Sequence, residues 1–478
     1  MKNIILNFVL SSIAHTFLFA QVPDTLWTKT YGDSSFDSGS SIVQTNENNF
    51  IISGSIGTQL TTNSFTSDIW VFGIDGSGTT LWSYNYGGMS GGEIVNTSND
   101  EYYLAAETYN QGTQEDMQIL KLTEAGDTIW TKTFYYTQHE YKPEIERTTD
   151  GGLIILGYTY GFPTGTLLIR INSSGDTLWT KLFSDNTYQL YPSSLEIDTD
   201  EGIVFLVQKL DSTFIYKTDS LGNLILREKI SSDPYNAKNL LITEDGNYLT
   251  LGTYSPNFDS AAIWVSLFDT NLSTIWSNTF FSTKPIAYPF NIIKSNTTGY
   301  LLIGYESPDY ISIADGLILK IDDSGDLLWR KSYGGLSMDY FNDIVLLDNN
   351  EFFVVGNTGS FGSGKTDAWV LKFSADTITT FVEDEFKIVL PDSYILYQNY
   401  PNPFNPSTVI SYQLPVSSNV TLKVFDVLGN EVATLVDEYK PIGSYEVEWN
   451  ASNHSSGVYF YQLHTGNFVE TKKMILMQ

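Results

Sequence analysis

One stretch of the sequence matches a phosphate-binding pattern letter for letter. Residues Gly359 to Thr366 have the spacing G-x-x-x-x-G-K-T, in which backbone N–H groups and a lysine hold nucleotide phosphates. This chemistry requires a strand before the glycines and a helix that begins at Lys365. The residues that follow, 367–373, instead have the composition of a strand and match 68–72 in an earlier repeat. We therefore expect a flexible surface loop between strands, without a bound nucleotide.

Other side chains that could do chemistry are scarce. The chain has no Cys and four His, of which only His139 lies between residues 21 and 381. A Ser-His-Asp relay or a histidine-rich metal site cannot be assembled from so few residues, and we expect His139 to be an ordinary loop residue. Asp322 and Asp323 lack the alternating ligands of a calcium loop and are explained by turn formation. We predict no catalytic residue, cofactor or metal site.

A repeated frame, Asp-x-x-Gly-x-x-x-Trp, shows how the chain is organised. Its closing positions are 47 to 55 residues apart and divide residues 21–381 into seven repeats. Leu226 replaces Trp in one copy, and Leu272 replaces Gly in the next. Phe381 closes the last repeat, and tryptophan occupies the remaining closing positions, which are Trp27, Trp82, Trp130, Trp179, Trp276 and Trp329.

Each repeat has the signals of a four-stranded antiparallel sheet. Asp-Gly and Asn-Asn pairs favour tight hairpin turns, and continuous apolar runs such as 352–355 indicate strands that are buried on both faces. Stacked four-stranded units of about 50 residues are typical of β-propeller blades. A β-solenoid, the alternative, would have a shorter period and no hairpin turns. We predict an all-β, seven-bladed propeller in which the recurring Trp fills the gap between adjacent blades.

The first and last repeats are incomplete in complementary ways. The segment 24–32 has the sequence of an outermost strand but follows no inner strands, whereas 376–381 in the last repeat lacks the Trp. We predict that the strand of Trp27 pairs beside 368–373 and completes the seventh blade. This arrangement would close the ring and leave the chain from Ser374 onward free to lead into the next domain.

Two similarities to known propellers follow from these residues. The Asp-x-x-Gly-x-x-x-Trp frame resembles the docking tryptophan of quinoprotein-like propellers, and the run from Trp329 to Gly335 is similar to repeats of exported bacterial propellers. Both resemblances imply a fold, because the matching residues are the packing ones. A quinone-dependent dehydrogenase would be expected to carry a vicinal Cys pair, which this chain lacks.

The N-terminus and the net charge predict an exported protein. Lys2 precedes an interrupted apolar run over residues 4–20, which is typical of a signal peptide cleaved after Ala20. No later stretch is long and apolar enough to span a bilayer. The formal charge of −30 disfavours binding to nucleic acids or to anionic lipid surfaces.

The composition changes after Phe381. The charged segment 382–393 is predicted to be a linker, and 394–478 to be a small immunoglobulin-like β-sandwich. We expect its strands at 408–414, 420–426, 443–449, 457–463 and 468–477.

This C-terminal region resembles the type A C-terminal sorting domain of type IX secretion substrates of Bacteroidota and their relatives. Its order and spacing of motifs are complete. The resemblance implies recognition by the type IX secretion machinery after transfer to the periplasm, and release into the medium or display on the outer membrane. The positions that carry it are Tyr397, Asn399, Pro401, Asn402, Pro403, Phe404, Asn405, Pro406, Gly429, Gly457, Tyr459, Lys472 and Lys473.

The sequence leaves three functions open for the propeller. The first is a monomeric binding module that recognises a glycan or a protein through loops at the propeller mouth. The second is an extracellular enzyme that acts on polysaccharide or another polymer with carboxylates at the central channel, and the third is a structural adhesin or matrix component. Inward Asp, Glu and Tyr side chains at one end of the channel would favour the enzyme.

Overall fold

The computed structural model describes most of the chain in two compact units, one spanning Leu18–Thr380 and the other containing the described residues from Phe381 onward. It describes residues 17–20, 22–61, 64–97, 99–110, 114–136, 139–161, 163–185, 188–233, 235–257, 260–282, 284–308, 313–381, 394–399, 401–415, 418–440, 443–466 and 468–477. In these ranges the regular elements are all strands, and no helix suited to crossing a membrane occurs. Residues 1–16 of the predicted signal peptide and the predicted linker 382–393 lie outside them.

Four-stranded antiparallel sheets, which we call blades, make up most of the first unit, and a single parallel bridge between Ala261 and Ile286 links two of them. Two strands precede blade 1, namely β1 (Phe17–Ala20) and β2 (Thr25–Tyr31). Blade 1 contains β3 (Ser38–Gln44), β4 (Phe50–Thr61), β5 (Ser64–Ile74) and β6 (Thr80–Asn85). Blade 2 contains β7 (Ser90–Asn96), β8 (Glu101–Asn110), β9 (Gln114–Thr123) and β10 (Thr128–Phe134). Blade 3 contains β11 (His139–Arg147), β12 (Leu153–Tyr160), β13 (Gly165–Ile171) and β14 (Thr177–Phe183).

The remaining blades repeat this order. Blade 4 contains β15 (Tyr191–Ile197), β16 (Ile203–Lys209), β17 (Ser212–Thr218) and β18 (Leu224–Ser232). Blade 5 contains β19 (Tyr235–Ile242), β20 (Tyr248–Asn257), β21 (Ser260–Phe268) and β22 (Thr274–Phe280). Blade 6 contains β23 (Ile286–Lys294), β24 (Tyr300–Ser307), β25 (Asp315–Ile321) and β26 (Leu327–Tyr333). Blade 7 joins β27 (Asp339–Leu346), β28 (Phe352–Thr358) and β29 (Asp367–Phe373) to β2, so the described strands form seven blades.

The first strand of each blade is the innermost one, and these strands surround a central channel. Each innermost strand contacts those of the two neighbouring blades, and β27 of blade 7 contacts β3 of blade 1. The second strands behave as their apolar runs predict, since β28 is buried along its whole length. A closed ring of such sheets is a β-propeller.

The ring closes through the N-terminal strand, as predicted. β2 pairs antiparallel with β29, and Trp27 lies opposite Lys372. The prediction that Ser374 onward would be free is wrong. The Ser374 N–H donates to the carbonyl of Asp24 at 2.8 Å, and Asp376 is fully buried in an ion pair with Lys320 of blade 6. Beyond this pair, β30 (Ile378–Phe381) pairs with β1, which falls within the predicted signal peptide.

The second unit is built from two sheets around a single apolar core. One sheet contains β31 (Ile395–Leu396), β32 (Ser407–Leu414) and β35 (Gly443–Asn450). The other contains β33 (Ser418–Phe425), β34 (Glu431–Lys440), β36 (Gly457–Thr465) and β37 (Phe468–Leu476). Trp449 and Tyr461 contribute to the core between them. The predicted sandwich is confirmed, but the sequence prediction missed β34, whose register shifts twice against β33.

Candidate binding site in the central channel

A polar residue faces the channel at the same point of every innermost strand. In each of these strands a bulge shifts the register against the second strand, and the residue before the next aliphatic one is polar. We call this set the polar ring. Its members, in blade order, are Ser41, Glu93, Glu144, Ser194, Asn239, Asn291 and Asp343.

The polar ring joins neighbouring blades. The bulge frees a backbone N–H group in the innermost strand, and a side-chain oxygen of the preceding blade accepts from it. Glu93 accepts from the N–H of Ile145 at 2.9 Å, and Asp343 accepts from the N–H of Ile42 at 2.9 Å. Ser194 accepts from the N–H of Leu240, also at 2.9 Å. These contacts satisfy buried backbone groups, so part of the polar ring is structural.

The channel contains a cavity of about 490 Å³. Serine, asparagine and carboxylate side chains line it, and none of the described lining residues is Lys or Arg. The lining carboxylates are Glu93, Glu144, Glu146, Glu196 and Asp343. The cavity thus combines many hydrogen-bond acceptors with negative charge.

Two of these carboxylates, Glu146 and Glu196, follow the polar ring on the same faces of the adjacent strands β11 and β15. Burial raises the pKa of Glu146 to about 7, although neighbouring Arg147 opposes the change. Burial also raises the pKa of Glu196 to about 8, and the charge of Glu146 adds to this shift. Near neutral pH the pair therefore holds at least one exchangeable proton.

Aromatic side chains occupy one side of an entrance to the channel. All innermost strands begin on the same face of the ring, and four of them have Tyr three positions before the polar ring: Tyr141, Tyr191, Tyr288 and Tyr340. In blades 1 and 2 serine occupies this position and glycine follows it. The wall of the entrance is thus aromatic on one side and small on the other.

Ring contacts hold this aromatic wall together across blade boundaries. Tyr158 of blade 3 contacts Tyr191 of blade 4 with ring centroids 4.6 Å apart. Phe290 of blade 6, which also lines the cavity, lies 6.1 Å from Tyr340 of blade 7. Tyr191 and Phe290 remain 44% and 42% exposed, so their faces are accessible to a ligand.

The phosphate-loop pattern lies away from the channel, in the connection between β28 and β29. The N–H of Gly364 donates to the carboxylate of Asp367 at 2.9 Å, and the ammonium of Lys365 lies over the ring of Phe36. The structure confirms the predicted loop between strands, and no helix begins at Lys365. The N–H groups of Gly359, Gly364 and Lys365 donate instead to acceptors within the protein.

The other candidate groups have structural positions. His139 is the first residue of β11, not a loop residue as predicted, and its Nδ1 accepts from the N–H of Glu115. Asp322 caps its own turn by accepting from the N–H groups of Ser324 and Asp326, in agreement with the prediction. No group of three metal-ligating side chains occurs among the described residues.

The repeated Trp of each blade packs on the Gly turn of the next blade. A Cβ atom added to Gly175 would lie 3.1 Å from the ring of Trp130, and one added to Gly78 would lie 2.8 Å from the ring of Trp27. The pairs with this arrangement are Trp27 with Gly78, Trp82 with Gly126, Trp130 with Gly175, Trp179 with Gly222 and Trp276 with Gly325. Trp329 is buried in the core between blades 6 and 7.

The two atypical repeats meet at one blade boundary. Leu226 of blade 4 takes the place of Trp, and Leu272 of blade 5 takes the place of the Gly that would face it. Leu272 has the same positive φ as the glycines, 63°, and packs against the core between blades 4 and 5. Loss of the large ring in one blade is thus matched by a larger residue in the next.

Several of the predicted sorting-motif residues hold the C-terminal domain together. Asn399 is buried and donates to the hydroxyl of Thr408 at 2.9 Å. Phe404 is buried and packs near Trp449, and its N–H donates to the carbonyl of Ile475. The backbone of Phe404 is thereby bonded to the last strand, β37.

The remaining motif positions are more varied. Tyr459 donates to the carbonyl of Ser455 at 2.8 Å, and Lys472 pairs with Glu470. Lys473 is exposed, and Gly429 lies in the tight turn between β33 and β34 with a φ of 82°. Asn402 accepts from the N–H of Ile475 at 3.0 Å. The structure thus does not bring the motif together as a single surface.

Comparison with known proteins identifies the C-terminal domain. Residues 398–477 match the family described as the secretion system C-terminal sorting domain. The chain therefore carries a type IX sorting domain, and such a domain directs export to the cell surface or the medium and contacts the secretion machinery. No curated protein matches the sequence.

Several solved structures resemble the fold. The Dos1 propeller is 12% identical, with 75% of this chain and 95% of that chain covered and a TM-score of 0.46. The WD40 domain of Toxoplasma gondii coronin is 10% identical, with 75% and 89% covered and a TM-score of 0.44. PorZ, described as a surface component of the type IX secretion system of Porphyromonas gingivalis, is 10% identical, with 86% and 69% covered and a TM-score of 0.36. These similarities carry no information about ligand or activity.

Proposed function

We propose that this exported propeller binds a neutral or cationic carbohydrate chain at the aromatic entrance of its channel. The observation that carries the proposal is the set of aromatic side chains on the innermost strands of blades 3, 4, 6 and 7, a few residues before the acceptor-rich polar ring that lines the cavity. Aromatic faces stack on the apolar faces of sugar rings, and carboxylates, amides and hydroxyls bind sugar hydroxyls or amines. An anionic polymer is disfavoured because five acidic residues and no described Lys or Arg line the cavity, and burial already makes negative charge there unfavourable.

The proposal is tested with the purified mature chain on a glycan array, followed by calorimetric titration of each positive glycan. Tyr191→Ala and Tyr340→Ala should each weaken binding at least tenfold, since stacking area is lost. Tyr84→Ala is the matched control, because Tyr84 is equally accessible, at 46% exposure, but lies on the outermost strand β6. Equal loss of affinity in all three variants, or no binding to any glycan, would contradict the proposal.

A second function, hydrolysis or elimination on such a polymer, is favoured by the pair Glu146 and Glu196. A general acid and a general base need pKa values near the working pH, and this pair has values of about 7 and 8. The Glu and Asp side chains that line the channel cavity supply part of the set expected of an enzyme. Product release from a bound glycan that is abolished by Glu146→Gln, with affinity unchanged, would establish this second function.

A further inference from the structure

The C-terminal domain contains a copy of the turn that the propeller uses between blades. Residues 426–430 read D-V-L-G-N, and residues 219–223 of blade 4 read D-S-L-G-N. Asp426 accepts from the N–H groups two and four residues later at 2.8 and 2.9 Å, and Asp219 does so at 3.0 and 2.8 Å. In both turns the Asn side chain donates to the second carboxylate oxygen at 2.9 Å. The two turns therefore have the same hydrogen-bonded backbone conformation.

In the propeller, this turn is the surface on which the Trp ring of the preceding blade packs. The ring of Trp179 covers Gly222 so closely that a Cβ there would lie 2.9 Å from it, and other blades repeat the contact. Gly429 has a similar φ, 82° against 73°, yet a Cβ on Gly429 would meet no heavy atom within 4 Å. The same surface is thus present in the C-terminal domain without the aromatic ring that covers it elsewhere.

The tip of the uncovered turn is apolar. Val427 and Leu428 are 65% and 83% exposed. The backbone does not require apolar side chains here, because the turn of blade 1 has Gly76 and Ser77 at these positions and makes the same Asp75 hydrogen bonds. An exposed apolar pair on a rigid tip is characteristic of a surface that contacts another protein.

We propose that the turn Asp426–Asn430 is the element of the sorting domain that docks on the secretion machinery. Val427 and Leu428 enter an apolar pocket of the machinery, and an aromatic side chain of that protein covers Gly429 as Trp179 covers Gly222. The conspicuous motif residues Asn399 and Phe404 are buried within the domain and are not available for this contact. The turn, in contrast, offers an exposed apolar surface without any rearrangement of the domain.

The test is export of the full chain in a host with a functional type IX secretion system. The double variant Val427→Ser/Leu428→Ser copies the polar side chains of a propeller turn and should reduce the amount on the surface and in the medium at least tenfold, with accumulation in the periplasm. Its thermal unfolding should match that of the unchanged chain. Leu428→Asn serves as a milder second variant, because Asn271 occupies the same turn position in blade 5.

Two matched controls separate docking from general surface effects. Leu221→Ser changes a 62% exposed leucine at the same turn position in the propeller, and Val469→Ser changes a 52% exposed valine elsewhere in the C-terminal domain. Both should be exported normally. Normal export of the double variant and of Leu428→Asn, with unfolding unchanged, would overturn the proposal. It would also be overturned if the double variant only abolished self-association in solution while export continued.

Discussion

At the scale of single residues, the channel carboxylates have two distinct roles. Glu93 and Asp343 accept hydrogen bonds from backbone N–H groups of the next blade, so their carboxyl groups are held in place between blades. Burial still raises the pKa of both, and nearby Glu144 adds to the shift of Glu93. Glu146 and Glu196 are the groups whose raised pKa values place their titration near neutral pH.

The raised pKa of Glu196 predicts a specific dependence of stability on pH. An unfolded glutamate titrates near 4.3, whereas the folded state holds the proton up to a pKa of about 8. The folded state therefore binds more protons between these values, and its stability falls as pH rises through that range. Glu196→Gln removes this penalty. It should match the unchanged chain at pH 4 and be more stable at pH 9 by roughly 2 kcal/mol, after discounting for partial exposure.

Urea unfolding at the two pH values measures this difference. Glu228 on the outer strand β18 is exposed, and Glu228→Gln therefore provides the control. The control should shift stability equally little at both pH values. A stability difference for Glu196→Gln that is the same at pH 4 and pH 9 would contradict the assignment.

At the scale of elements, the contact between a Trp and the Gly turn of the next blade sets the blade spacing. Gly175 needs to be Gly for two reasons, namely its φ of 81° and the ring of Trp130 above it. Gly151 has the same φ of 82°, but a Cβ there would meet nothing closer than Ser173 at 3.9 Å. A comparison of substitutions at the two positions therefore separates the cost of backbone strain from the cost of displacing the Trp ring.

Gly151→Ala should cost about 1–2 kcal/mol through positive φ alone. Gly175→Ala should cost roughly 1–3 kcal/mol more, because the added methyl displaces Trp130 and opens the boundary between blades 2 and 3. Denaturant midpoints of the two variants, measured with the same m value, give the difference directly. Equal losses of stability would show that the Trp ring moves aside without cost.

The sequence predicted these elements well where periodicity defines them. The repeat period, the Trp frame and the complementary ends of the chain together predicted the pairing of β2 with β29, because each feature depends only on local pattern. The polar ring was missed, although a polar residue before Ile or Leu recurs in every repeat, as in Glu93 and Asp343. Alignment of the repeats would have shown it. Strand β34 was missed because its register shifts twice against β33, so that its apolar residues 432, 433, 435 and 436 show no simple alternation with polar ones.

Long-range compensation is harder to predict from sequence. The substitutions at Leu226 and Leu272 are separated along the chain and only become one feature when blades 4 and 5 are placed side by side. The pairing of Asp376 is likewise not evident from the local sequence. In most blades with a Lys or Arg at this point of the third strand, such as Lys121, the partner acid comes from the same blade, whereas Lys320 pairs with Asp376 from beyond the last blade.

At the scale of the whole propeller, the first and last segments of the propeller are held at one place. β2 supplies the outer strand of blade 7. The segment that follows β29 contacts blade 6 through the buried ion pair of Asp376 and Lys320. Ser374 and Asp24 exchange hydrogen bonds where the two ends cross. In this arrangement β2 covers the edge of β29, which would otherwise be unpaired at the point where the ring closes.

Removal of residues 22–32 should therefore destabilise the whole propeller. The deletion exposes the edge of β29, removes the ring of Trp27 from Gly78 and leaves the closure of blade 7 incomplete. We expect loss of cooperative thermal unfolding. Removal of the chain after Phe381 leaves every blade strand intact and should change the unfolding temperature by about 2 °C or less.

Rescue by a peptide distinguishes a lost strand from a general loss of solubility. A synthetic peptide of residues 22–32 should pair with β29 and restore cooperative unfolding of the deleted chain, because strand addition to an open sheet edge reforms the main-chain hydrogen bonds. The same peptide with Trp27→Ala forms those bonds but cannot cover Gly78, so it should restore less stability. If both peptides rescued equally, closure would depend on strand pairing alone, and the Trp contact would have no part in joining blade 7 to blade 1.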